Sequence, residues 1–227
     1  MIINNSINIP EYNLALEEYL CSLKKDFFML WRNIPSVIIG RFNNLCDLVN
    51  LEYAKSNNIH VIRRNSGGGA VYHDLGNINY TFILDDNKNF TLEYFSNIII
   101  RTLQNIGIKS NLTFSHNDIL ADNKKISGAA QHHNKGVILH HGTLLFDSDL
   151  SVIPKVLKNS SSVTNIKPFL KHDFNINDFM NLFRDNICFN NICSDEIFTL
   201  SDNDNVIINK IMQSKYLNSN WNLEASF

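Results

Sequence analysis

Gly67, Gly68 and Gly69 stand in a row inside Arg63-Arg64-Asn65-Ser66-Gly67-Gly68-Gly69-Ala70-Val71-Tyr72-His73-Asp74-Leu75-Gly76-Asn77. A glycine inside a regular element costs roughly 1 kcal/mol relative to alanine, so three in succession after a strand require an irregular backbone path. Without side chains, their main-chain N–H groups can come close to a ligand, and a run of such donors makes a cradle for an anion. An arginine beside the cradle adds charge-assisted hydrogen bonds. Arg63 and Arg64 are neighbours at the end of a strand expected over residues 59–63, so they project to opposite faces and one of them serves the cradle. The competing reading is a glycine-rich turn beside surface arginines. The order is neither GxxxxGK followed by Ser or Thr nor GxGxxG, so neither common nucleotide-binding fingerprint applies.

The rest of the chain bounds what this loop can serve. With 20 Lys+Arg against 22 Asp+Glu and only 19% charged residues, the protein lacks the basic footprint of a nucleic-acid binder. A hydrophobic fraction of 44% supports a packed core rather than a disordered chain. Residues 1–10 carry no basic, apolar leader, and apolar runs such as 27–31, 37–39 and 98–100 are too short to span a bilayer. The expectation is a soluble, cytoplasmic protein without membrane contact. Cys21, Cys46, Cys188 and Cys193 show no CxxC spacing and read as reduced, mostly buried thiols.

Apolar periodicity predicts a helix from Pro10, a hairpin joining residues 27–31 to 37–39, a helix over 51–56 and a strand over 59–63. Residues 77–84 alternate as a strand, with Ile78, Tyr80 and Phe82 on one face, and residues 91–106 form a helix that packs across it. Two strands meet at a tight turn at Asp122-Asn123. Residues 137–146 form either a strand pair or one long strand bulged at Gly142, and helices follow over 152–157, 176–187 and 206–214. The fold class is α+β, a mixed β-sheet flanked by helices, in one domain.

A second constellation is Asn117-Asp118-Ile119-Leu120 with Lys125-Ile126-Ser127-Gly128-Ala129-Ala130-Gln131. If Lys125 shares a sheet face with the glycine loop, its compact ammonium can bridge a carboxylate and a phosphate, and Lys124 then faces away. Taken alone, a hairpin lysine is more often a solvated charge. The pairs His132-His133 and His140-His141 diverge along a strand, lack HxH or HExxH spacing and have no cysteine nearby, which argues against zinc.

Together these residues resemble the lipoate-protein ligases, a family related to octanoyl- and lipoyltransferases and to biotin-protein ligases. The family pattern RRxSGGGAVxHDxGNxNxxF is filled at every fixed position from Arg63 to Phe82. The likeness extends through Pro10-Glu11-Tyr12-Asn13-Leu14-Ala15, Gly40-Arg41-Phe42-Asn43-Asn44, His140-His141-Gly142-Thr143-Leu144-Leu145 and Val163-Thr164-Asn165-Ile166. It implies a class II synthetase-like catalytic domain over residues 1–227 with no C-terminal accessory domain. It also implies two-step chemistry, in which ATP and lipoate give lipoyl-AMP and an acceptor lysine then displaces AMP.

Carried over by this resemblance, contacts to the nucleotide and lipoyl-AMP fall to Arg64, Ser66, Gly67, Gly68, Gly69, Ala70, Val71, Tyr72, His73, Asn77, Asn117, Asp118, Gly128 and His140. Lys125 is the catalytic ammonium, touching both acyl carbonyl and phosphate, and Asp118 helps to hold Mg²⁺. His73 and His140 are supporting hydrogen-bonders, and Val71, Ile126 and Leu139 are candidates for a slot around the dithiolane tail, or for plain core. The implied partners are lipoyl-acceptor domains, of a glycine-cleavage H protein or a 2-oxoacid dehydrogenase E2 subunit, and a separate accessory subunit for activating free lipoate. The alternatives are use of preformed lipoyl-AMP, or acyl transfer between carriers through a cysteine thioester. Related transferases place that cysteine after the strand at His140-His141-Gly142, where residues 146–175 contain none, so adenylate chemistry is favoured.

Overall fold

The structure, a computed structural model, describes residues 1–86, 90–134, 136–189 and 195–224. The first half of the chain runs β1 (Ile2–Asn4), α1 (Pro10–Ser22), β2 (Phe27–Trp31), β3 (Ser36–Ile39), α2 (Leu45–Leu48), α3 (Leu51–Ser56), β4 (His60–Arg63), β5 (Ala70–His73) and β6 (Asn77–Asp85). It continues through α4 (Leu92–Ile106), β7 (Leu112–Ser115), β8 (Asp118–Ala121), β9 (Lys124–Asn134), β10 (Val137–Leu145), α5 (Ile153–Val156), α6 (Ile176–Phe189), α7 (Asp202–Ile211) and α8 (Ser219–Leu223). Seven strands form a sheet in the order β1-β2-β6-β10-β9-β8-β7, and three form a second in the order β4-β3-β5. β1 runs parallel to β2 while the other neighbours in the large sheet are antiparallel, so that sheet is mixed.

Two expectations are corrected here. β2 and β3 do not pair as a hairpin: β2 lies between β1 and β6, and β3 between β4 and β5. Both are buried at every position, so each needs a neighbour on either side, and the segment between them crosses from one sheet to the other. Asn13 Nδ2 donates to Asn33 Oδ1 at 2.8 Å and to the Arg32 carbonyl at 3.1 Å, fixing that crossing against α1. The second correction concerns Gly142. β10 is continuous, with unbroken register to β6 from Val137↔Asp85 to Leu145↔Asn77, and has no bulge. The glycine is needed because the Tyr80 ring crosses over it, and a Cβ there would lie 2.3 Å from the tyrosine oxygen.

Strand alternation splits the large sheet into two chemically different faces. On one face Phe28, Tyr80, Phe82, Ile138 and Leu144 pack under α4 and α6 with Phe95, Ile99, Phe179 and Phe183. Each such fully buried side chain contributes about 1.5–3 kcal/mol. α4 is set by the Thr91 side chain, which accepts from the Tyr94 N–H at 3.1 Å, and is stopped by Gly107 at φ +99°. The other face carries Trp31, Ile83, Leu139 and their neighbours beneath α1 and the small sheet. Asp122 and Asn123 have φ of 47° and 67°, the left-handed geometry of the tight turn between β8 and β9. Among the described residues, no helix is long and apolar enough to cross a membrane.

Gly142→Ala should destabilise the protein by about 1–3 kcal/mol, because the fully buried Tyr80 ring has no room to withdraw. Urea unfolding measures this, and an unchanged midpoint would show that the ring yields freely.

Candidate active site

Register alone assembles the floor of the site. Trp31 pairs with Asn79, Asn79 with Thr143, and Asp118 with Gly128, while the Gly128 N–H donates to Thr143 Oγ1 at 3.1 Å. These five residues therefore form a row across β2, β6, β10, β9 and β8, spanning roughly 19 Å at about 4.8 Å per strand. All five line a cavity of about 150 Å³. Its roof comes from the small sheet and the glycine loop, through Ile38, Arg64, Gly68, Gly69, Ala70, Val71 and His73, with Leu14 of α1 closing one side.

The glycine loop is knitted onto the segment after β3. Gly40 N–H donates to the Gly69 carbonyl and Arg41 N–H to the Ser66 carbonyl, both at 2.9 Å. A Cβ on Gly40 would sit 1.9 Å from the Gly68 carbonyl oxygen, so this close approach admits only glycine. Gly68 itself has φ +86°. The Gly67 carbonyl accepts from Arg64 Nη2 at 2.7 Å and from Nε at 3.2 Å. In a trans peptide the following N–H points the opposite way, so Arg64 sets the direction of the Gly68 donor.

Arg64 is buried, and the burial lowers its pKa to about 10, leaving it a cation at neutral pH. Nη1 reaches the Ile38 carbonyl at 3.1 Å, and the Nε hydrogen is shared with Ser66 Oγ at 2.8 Å. Ser66 Oγ also lies 2.7 Å from His141 Nε2. The other ring nitrogen, Nδ1, faces both Glu17 oxygens at 3.0 and 3.1 Å. Thr81 Oγ1 donates to Glu17 Oε1 at 2.6 Å and accepts from Trp31 Nε1 at 2.8 Å. Arg63 turns away as alternation requires: its guanidinium holds the carbonyls of Gly40, Arg41, Asn43 and Trp221, tying α8 to the loop.

At the far end of the row, Lys125 Nζ lies 2.9 Å from Asp118 Oδ1. A Cβ on Gly128 would lie 2.7 Å from Nζ, so the glycine leaves the space that the ammonium occupies. Asn117 also lines this end, and Lys124 is exposed on the opposite side. Among the described residues no all-protein Mg²⁺ cage is built. Asp118 is already paired with Lys125, and among the described residues no three His, Cys, Asp or Glu side chains could hold a metal ion together. We therefore derive no step through it.

Several expected residues lie elsewhere. His140 does not reach the cavity: it stands on the opposite sheet face, stacked on Phe95 at 4.1 Å and Tyr80 at 5.9 Å, and its neighbour His141 takes the cavity side. Ser66 and Gly67 are behind the cavity wall as partners of Arg64, and Asn77 donates to Asn79 Oδ1 at 2.9 Å. Tyr72 packs with Val37 and Leu145 in a separate core cluster. Of the three slot candidates Val71 lines the cavity, whereas Ile126 and Leu139 are core. Leu14, Trp31, Ile38, Asn79, Ala129, Ala130 and Thr143 line the cavity although none was in the contact set expected from the sequence.

Among the described residues no cysteine lines the cavity. Cys46 is exposed rather than buried, and burial together with Glu17 and Glu18 pushes the Cys21 thiol up to about 12. Cys193 lies outside the described residues.

Residues 9–188 match the family model described as the lipoyl protein ligase A/B catalytic domain. The chain is 37% identical to the lipoate-protein ligase LplJ of Bacillus subtilis, over 98% of this chain and 73% of that protein. It is 36% identical to lipoate–protein ligase 1 of Staphylococcus aureus, over 97% and 72%. Among solved structures, a putative lipoate protein ligase of T. acidophilum with bound lipoic acid superposes with a TM-score of 0.87, 26% identity and 98% coverage of both chains. A lipoate-protein ligase A bound with ATP gives 0.85 and 26%, over 100% of this chain and 97% of that one. A structure of an archaeal lipoylation system, a bi-partite lipoate protein ligase and its E2 lipoyl domain from Thermoplasma acidophilum, gives 0.88 and 25%, over 100% and 96%.

His73 and His140 are both lowered to about 3, first by burial, and so stay neutral in the folded protein. Unfolded histidines take up protons below about pH 6.5, so this contribution to stability is complete above that pH and is lost as pH falls toward 3. Each histidine should add a slope of up to about 1.4 kcal/mol per pH unit between about pH 6 and 4. His140→Phe, which keeps the aromatic stack, should remove one proton from that slope in urea titrations. An unaltered slope would mean that His140 is charged in the fold.

Proposed function

Since the chain belongs to the lipoyl protein ligase A/B catalytic-domain family, we propose that it is a lipoate-protein ligase whose adenylation chemistry takes place along the row from Lys125 to Trp31. The observation that carries this reading is one cavity in which an ammonium, a glycine-loop donor set and an apolar slot share the same walls. The similar structures with bound lipoic acid and with ATP support the two substrates.

In the first step a lipoate carboxylate oxygen attacks the α-phosphorus of ATP, and pyrophosphate leaves with the electrons of the broken P–O bond. Negative charge grows on the non-bridging oxygens. Lys125 Nζ, the N–H groups of Gly68 and Gly69, and the cation of Arg64 beneath the loop are fixed before that charge appears, so they stabilise it without reorganising. In the second step the neutral amine of an acceptor lysine attacks the acyl carbonyl, and AMP departs. Lys125 sits where it can touch both carbonyl and phosphate, and the cavity walls shelter the anhydride from water between the steps. The acceptor is a lipoyl domain, of a 2-oxoacid dehydrogenase E2 or a glycine-cleavage H protein. The likeness to an archaeal ligase described together with its E2 lipoyl domain supports the former.

Purified protein with ATP, Mg²⁺, lipoate and a lipoyl domain should raise the acceptor mass by one lipoyl group. Success with lipoyl-AMP but not with ATP and lipoate would assign activation to a second part, as the bi-partite neighbour suggests. Lys125→Ala should lower the adenylation rate by about 10²–10³-fold. Its effect on stability should stay within about 1 kcal/mol, because the Lys125–Asp118 pair is partly exposed. A folded Lys125→Ala variant with full activity would remove the assignment.

A further inference from the structure

The peptide between Gly68 and Gly69 has a glycine on either side, so no Cβ resists its rotation. Gly68 is at φ +86°, and both glycines are exposed on the wall of the cavity. Turned one way, this peptide presents the Gly69 N–H to an anion. Turned the other way, it presents the Gly68 carbonyl, which repels one. Its direction must therefore come from whatever holds that carbonyl. Asn43 does so: its Nδ2 donates to the Gly68 carbonyl at 2.5 Å and to the Gly40 carbonyl at 3.4 Å. Both partners are carbonyl oxygens, so the side-chain atom facing them is the amide NH₂ and not Oδ1. The Gly69 N–H, opposed to the Gly68 carbonyl across a trans peptide, points away from Asn43, which does not itself line the cavity.

Asn43 is fixed in turn from the end of β4. Arg63 Nη1 donates to the Asn43 carbonyl at 2.8 Å, to that of Arg41 at 3.0 Å and to that of Gly40 at 3.2 Å, so a buried guanidinium clamps the segment that carries the amide. The peptides on either side are held by other groups, the Gly67 carbonyl by Arg64 and the Gly69 carbonyl by the Gly40 N–H. That leaves the direction of the Gly69 donor to Asn43. We propose that Asn43 is a positioning residue for the adenylate chemistry: by holding the Gly68 carbonyl, it aims the Gly69 N–H at one non-bridging oxygen of the α-phosphate. This rests on the reading above that the glycine loop holds the phosphate. Asn43 touches no reacting atom and acts through one peptide plane.

Sulfur is a weaker acceptor than oxygen, so a lipoyl-AMP carrying sulfur at one or the other non-bridging position reports each contact separately. The test measures kcat/KM for transfer to a lipoyl domain from preformed lipoyl-AMP and from both of its phosphorothioate diastereomers, which spares the chain from activating free lipoate. Asn43→Asp keeps the side-chain size and removes the donor. It should slow transfer from lipoyl-AMP about 10-fold, as for the loss of one hydrogen bond to a charged group. It should also erase most of the sulfur penalty of one diastereomer while leaving the other unchanged to within about 2-fold. Asn43→Ala should do the same, which separates the lost donor from the added charge. Variants that slow all three adenylates by one common factor overturn the inference, because a smaller folded fraction would do that. Variants with wild-type rates on all three overturn it as well. Wild-type protein with no sulfur penalty at either position overturns it without any variant, and wild-type protein that transfers from none of the three adenylates overturns the ligase reading and the inference together.

Discussion

The arrangement of this site follows from the need to bury one guanidinium. Arg64 sits beneath the glycine loop with no carboxylate among the described residues in contact, which would be untenable for an isolated charge. Main-chain carbonyls of Ile38 and Gly67 take most of its donors, and the opposite charge of Glu17 reaches it through Ser66 and His141. Each link comes from a different part of the fold: Glu17 from α1, His141 from β10, Ser66 from the loop. The loop geometry is therefore settled when the protein folds and not when a nucleotide arrives, which is the condition for a preorganised anion cradle.

A second constraint is the division of the row into two environments. Lys125 and Asp118 are partly exposed, so the ammonium is reachable from solvent. Trp31, Asn79 and His73 are almost wholly buried, so any polar group there must be matched or costs stability. The small sheet makes this gradient possible. Without β3 and β5 as a roof, that face of the large sheet would be a wet surface with no enclosed cavity on it.

Much of this could be read from the chain because it depends on local rules. The glycine triplet demanded an irregular path, alternation separated Arg63 from Arg64 and Lys125 from Lys124, and a 3.6-residue period marked α4. What could not be read depends on partners far apart in sequence. β2 and β3 look like a hairpin until their burial on both sides shows that each needs neighbours supplied later in the chain. The adjacent histidines of β10 obviously face opposite ways, but nothing local says which meets the cavity. That is decided by register with β6, which puts His141 beside Thr81 and His140 beside Phe82. Leu14, Trp31 and Asn79 carry no catalytic look because their role is set by which elements roof the row.

The two ends of the site are also mechanically joined. Trp31 donates to Thr81, Thr81 to Glu17, and Glu17 meets His141 Nδ1, whose ring reaches through Nε2 to the Ser66 hydroxyl that accepts from Arg64. Every member of that chain has its hydrogen-bonding capacity directed along it, so no side chain can rotate without stranding a buried partner. The indole at the apolar end and the guanidinium at the phosphate end are consequently held at one fixed separation.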